Sequence, residues 1–156
     1  MKFKDIESEI FRVLDSFYEI QQNEFSEELL SYAPDELIHK NVIRIQRNNK
    51  NTEFKTDNWK TLLIVELEEQ SKLKMALDWV VSVKDSLLDP QTSDIYLFLT
   101  FSSEVNVEEC LRIESTEQFC RKYVQLPEED VAEFVNRTFL QKLKNSTDTC
   151  DQDFKK

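Results

Sequence analysis

Not one of the 156 residues is glycine, although glycine makes up about 7 % of an ordinary chain. P-loops, dinucleotide-binding turns and the G-x-S-x-G nucleophile elbow all need glycine where backbone takes positive φ or closes on a phosphate. Nucleotide hydrolysis by this chain alone is therefore not expected. Histidine is almost as scarce: His39 stands alone, which removes the H-E-x-x-H pattern and most imidazole-rich metal sites. The three cysteines, Cys110, Cys120 and Cys150, are an odd number with no C-x-x-C spacing. Neither a disulfide framework nor a zinc knuckle is indicated, and reduced thiols are expected. No apolar run approaches the roughly 20 residues of a membrane-spanning helix. Met1 to Phe11 carries Asp5, Glu7 and Glu9 where a secretion signal would be apolar, so the expected location is the cytoplasm.

Positive charge is short as well, with 20 lysines and arginines against 31 acids and a net charge of -11. Nonspecific affinity for nucleic acid comes mainly from Lys and Arg neutralising phosphates. Neither direct nucleic-acid binding nor attachment to an anionic membrane is expected. The length suits one domain that can bury a proper core without metal or disulfide staples.

What the chain does contain is organised around the stretch from Thr61 to Phe101. Leu62 to Val65 is an apolar run, Leu73 to Leu88 has helical spacing, and Ile95 to Phe101 is apolar again. Short apolar runs of that kind predict strands covered on both faces, as in parallel sheets with helical crossovers. Before it, Ile6, Ile10, Val13, Leu14 and Phe17 form the stripe of an amphipathic helix over Phe3 to Gln21. A shorter helix is predicted over Glu27 to Tyr32, ending before Pro34. Val42 to Arg47 alternates as a half-exposed strand does and is expected at a sheet edge. The asparagine-rich segment Asn48 to Asn58 is a loop.

Ser71 is the expected N-cap of the crossover helix, and Asp89 with Pro90 its stop. Asn106 followed by Glu109 resembles a capping box opening a short helix. Phe119 to Leu126 reads as a further strand. Pro127 stands where a last helix would begin, with Glu128, Glu129 and Asp130 in its first turn and Lys142 and Lys144 near its end. Its expected buried side is Val131, Phe134, Val135, Phe139 and Leu143.

The predicted fold is α/β: a small mixed, mainly parallel sheet with flanking helices, preceded by an N-terminal helical segment. Residues 1–144 form the single domain, with 1–40 helical and 41–144 the strand–helix core, and 145–156 is a polar tail.

Four side chains stand out as candidates for binding a partner. Trp59, in a polar context at a strand start, suits an interface anchor. Cys120, Arg121 and Lys122 invite a nucleophile reading, but strand alternation lets only Lys122 help the thiol directly, and a Cys–His pair with His39 would need the fold to bring distant residues together. A buried, unreactive Cys120 is the expected outcome. Glu66 and Glu68 at a strand end suggest a divalent-cation site of nuclease type, yet Glu66-Leu67-Glu68 lacks the lysine of a (D/E)-x-K motif; a solvated strand end is the plainer reading. The acidic faces Glu7 to Glu28 and Glu104 to Glu109 are solvated surface or a dock for a basic partner. No catalytic residue, metal or cofactor is assigned.

The phrase Glu114-Ser115-Thr116-Glu117-Gln118-Phe119-Cys120-Arg121-Lys122-Tyr123-Val124 resembles the small middle components of the ABC-three-component (ABC-3C) conflict systems. That group includes the small subunit of Lamassu-type anti-phage defence. The likeness covers roughly the carboxy-terminal two thirds, beginning near Trp59-Lys60. It implies a non-enzymatic adaptor in a hetero-oligomer, joining an SMC-like or ABC ATPase to an effector subunit, often a nuclease. It also implies that Cys120, Arg121 and Lys122 recur in the family. Two alternatives stand beside it: a metal-dependent nuclease or phosphodiesterase using Glu66 and Glu68, and an acidic immunity or inhibitor protein.

Overall fold

A computed structural model of the chain describes residues 2–14, 18–21, 24–47, 59–87, 94–116 and 118–138. In chain order these form α1 (Lys2–Leu14), β1 (Tyr18–Gln21), α2 (Glu24–Ser31), β2 (His39–Arg47), β3 (Lys60–Leu67), α3 (Leu73–Ser86), β4 (Ile95–Phe101), α4 (Val107–Ser115), β5 (Arg121–Val124) and α5 (Val131–Asn136). The five strands make one sheet in the order β1-β2-β3-β4-β5. The β1–β2 and β2–β3 pairs are antiparallel, and the β3–β4 and β4–β5 pairs are parallel. The sheet is mixed, as expected, with two pairs of each kind.

Strand alternation sends neighbouring side chains to opposite faces, and here both faces are covered. Ile43, Ile45, Leu62, Ile64, Phe98 and Tyr123 pack with the stripes of α1 and α5. Leu63, Val65, Leu67, Leu97, Leu99, Phe101 and Val124 pack with residues from α2, α3 and α4. The result is three layers, helices on a sheet on helices. Trp79 is fully buried in the second core and donates its indole N–H to the Leu29 carbonyl at 2.9 Å, which ties α3 to α2. Burial of the Trp ring is possible because that one polar atom has a partner.

The structure corrects several expectations. The first helix stops at Leu14, and Tyr18–Gln21 is a strand, because β2 presents backbone groups from Arg44 to Arg47 that this segment pairs. Long-range pairing overrides the local helical period. β2 is consequently not an edge strand. It is nine residues long, lies between β1 and β3, and has Val42, Ile43, Arg44 and Ile45 all buried. Ser71 does not cap α3: it sits within a 3-10 turn, Gln70–Lys72, and α3 begins without a side-chain cap.

β5 is shorter than the run Phe119 to Leu126. The last helix begins not at Pro127 but after Asp130, whose carboxylate accepts from the Glu133 amide at 2.8 Å. Pro127 is in a turn closed by the Glu129 amide on the Leu126 carbonyl at 3.1 Å. The loop 48–58, Phe17, Asp89, Pro90, Phe139, Lys142, Leu143, Lys144, Cys150 and the tail lie outside the described residues. Among the described residues no helix is long and apolar enough to cross a membrane.

Candidate functional site

Parallel strands share their direction, so β3, β4 and β5 begin along one edge of the sheet and end along the other. Leu62, Tyr96 and Arg121 stand in one row across them. Trp59, Cys120, Arg121 and Lys122 therefore all lie at the edge where the strands begin. Glu66, Glu68 and His39 lie at the edge where β3 ends, since His39 pairs with Glu66 across β2 and β3. The structure brings the four partner-binding candidates to one end and keeps the carboxylates at the other. Cys120 and His39 are on opposite edges, so the Cys–His pair is not made.

At the first edge, Lys122 is only 2 % exposed. Its ammonium donates to the carbonyls of Thr116 at 2.7 Å, Gln118 at 2.6 Å and Cys120 at 3.2 Å. Three carbonyl acceptors satisfy the three donors that a buried ammonium must place. Those carbonyls bracket Phe119, which has φ 74°. In a chain without glycine the left-handed position of this turn falls on a bulky residue, at a cost of about 1–2 kcal/mol. The charge-assisted bonds from Lys122 to the carbonyls of Gln118 and Cys120, the residues on either side of Phe119, offset that cost.

The outcome is a fixed projection: Phe119 is 37 % exposed and Arg121 is exposed beside it, while Cys120 and Lys122 turn inward. Burial pushes the Cys120 thiol up to about 11, with partial relief from Lys122 and Lys84. A thiol held in that state is a core side chain and a poor nucleophile.

Trp59 is half-buried, one residue ahead of β3. The guanidinium of Arg44, itself 4 % exposed, lies between two rings, 5.5 Å from the centre of Trp59 and 4.7 Å from that of Phe25. Two aromatic faces stabilise a desolvated cation, while burial lowers its pKa. Lys60 completes this edge, 3.5 Å from the Asp94 carboxylate and 5.9 Å from the centre of the Tyr96 ring. Burial, then the Asp94 charge, pushes the Tyr96 phenol up to about 12.

Clefts formed by the described residues open at the opposite edge. One of about 250 Å³ is lined by Glu36, Ile38, His39, Glu66, Glu68 and Lys72. There the His39 Nε2 is 3.9 Å from Glu66 Oε2. Another, about 740 Å³, lies past the ends of β4 and β5 and is lined in part by Lys2, Ser102, Glu104, Asn106 and Glu128. Among the described residues no group of three or more His, Cys, Asp or Glu side chains is placed to hold a metal ion. Glu66 and Glu68 do not form such a site with their neighbours.

Arg137 organises the outer side of β5. Its guanidinium meets Glu114 at 2.5 Å, Glu129 at 2.5 Å and the Val124 carbonyl at 2.6 Å, and it lies over the Phe134 ring. Glu114 also accepts from the Val124 amide at 3.2 Å. An edge strand is thereby occupied by side chains at Val124. Desolvation opposes the Arg137 charge, but the two carboxylates prevail and hold its pKa above the ordinary value. No local sequence signal marks this residue, because its partners are 8, 13 and 23 positions away.

A family model described as ABC-three component (ABC-3C) system Middle Component 1 matches residues 57–150. No curated protein and no solved structure matches the chain.

Proposed function

The chain belongs to the ABC-three component system middle component 1 family and is one component of a multi-subunit defence system; from that premise we propose that it is a non-enzymatic adaptor of a Lamassu-type complex. In this reading it joins an SMC-like or ABC ATPase to an effector, often a nuclease, as part of a hetero-oligomer. Its contact with one of them is the edge carrying Trp59, Phe119 and Arg121. Cys120 and Lys122 act from beneath as positioning residues. The supporting observation is the fixed, outward Phe119-Arg121 pair, held by an ammonium that would otherwise have no reason to be buried at a turn. Aromatic and arginine side chains on a preorganised turn are the residue types that anchor interfaces.

The test is co-expression of the tagged chain with its neighbouring ATPase and effector genes. The wild type recruits both, and Arg121→Glu loses one of them while remaining folded by circular dichroism. A monodisperse wild-type monomer that recruits neither component would refute the adaptor reading.

A further inference from the structure

α4 buries Cys110 and Ile113 against the sheet but turns Val107 and Leu111 outward, where they are 44 % and 49 % exposed. Four residues apart, they lie on one side of the helix, one turn above the other. Asn106 accepts from the Glu109 amide at 2.8 Å, so the helix start is fixed. The reciprocal half of the capping box is not made. The Glu109 carboxylate goes to Arg112 and Gln70 instead, which neutralises Arg112 and ties the helix to the turn after β3. Beside the apolar pair Glu104, Glu108 and Glu128 are exposed, and Lys2, whose ammonium is spent on the Phe101 carbonyl, is the cation lining the same cleft.

An apolar stripe rimmed by carboxylates complements one kind of surface, an amphipathic helix with leucine-like side chains on one face and lysine or arginine at its borders. We infer that the outer face of α4 docks such a cationic amphipathic helix from a partner subunit, its apolar side on Val107 and Leu111 and its cations on Glu104 and Glu108. The identification of the partner as a subunit of the same system rests on the adaptor reading; the surface itself does not. Val107 lies past the end of β4, at the opposite end of the sheet from Phe119 and Arg121, and α4 runs from there back to Thr116, whose carbonyl meets Lys122.

The experiment titrates the isotope-labelled full chain with a synthetic leucine–lysine amphipathic helix and follows amide resonances. Saturable shifts centred on Val107–Ser115 are expected, fading with added salt. Leu111→Lys should weaken binding about tenfold, and a leucine–glutamate helix should give no shifts. Shifts that are absent, or that spread over the acidic surface and survive Leu111→Lys, overturn the inference. In the co-expressed system, Leu111→Lys should release one component and Arg121→Glu the other. If the wild type recruits neither, the adaptor reading falls and the titration still decides the surface.

Discussion

Replacing Lys122 by methionine keeps the apolar stem of the side chain and removes the charged ammonium with its donors. Three hydrogen bonds of 2.6 to 3.2 Å are lost. Bonds to a charged group contribute about 1.5–3 kcal/mol each. Thr116 and Gln118 are exposed, so their carbonyls can turn to water, and the buried ammonium itself was costly to desolvate. A net loss of about 3 kcal/mol is expected.

The turn then has no reason to keep Phe119 at φ 74°, and a comparison of glycine with alanine at that position reports it. With Lys122 present, Phe119→Gly should be more stable than Phe119→Ala by about 1 kcal/mol, because only glycine is unstrained in the left-handed region. In the Lys122→Met background the turn relaxes and the preference should vanish or reverse. Urea unfolding of the four combinations measures both quantities from midpoints at a common slope. A glycine preference of equal size in both backgrounds, or a Lys122→Met loss below about 1 kcal/mol, refutes the clamp.

Arg137→Ala should lower stability by about 2–3 kcal/mol, since it strands Glu114, Glu129 and the Val124 carbonyl together. The thermal midpoint should drop by roughly 8 °C, and Arg137→Lys should recover only part of it because an ammonium cannot reproduce the fork. A fully rescued lysine variant would show that charge alone matters there. Cys120 should resist a thiol-specific disulfide reagent at pH 8 until the chain is unfolded. The unfolded thiol ionises near 9.0 and the folded one near 11, so the folded state holds the proton longer and stability must fall as pH rises through that window. Denaturation across this range, with Cys120→Ala as the flattened control, checks the sign.

The two central strands were legible because both of their faces are apolar: β4 matches the predicted run, and β3 extends two residues beyond the run Leu62 to Val65 at each end. The Asn106 cap was legible for a different reason: a cap is a short-range bond that its own sequence writes. What escaped was long-range. Tyr18–Gln21 becomes a strand only because β2 offers an edge to pair with, and β2 is interior only because β1 arrives. Arg44 looks like a solvent-facing residue in an alternating strand until Phe25 and Trp59 close over it. At the candidate site, the placement of Lys122 on the same side as Cys120 followed from alternation. The carbonyls it binds did not, since nothing in the residue types announces a left-handed phenylalanine.

α1 packs on α5 and on the far side of the sheet, and its Lys2 ammonium reaches the Phe101 carbonyl at 3.1 Å, 99 positions along the chain. During synthesis at about 5–20 residues per second, the flank of the first helix that faces α5 has to wait on the order of 10 s for that companion to leave the ribosome. The molecule is thus sewn shut by its opening segment, and a nascent chain stalled before Phe134 would display that flank to chaperones.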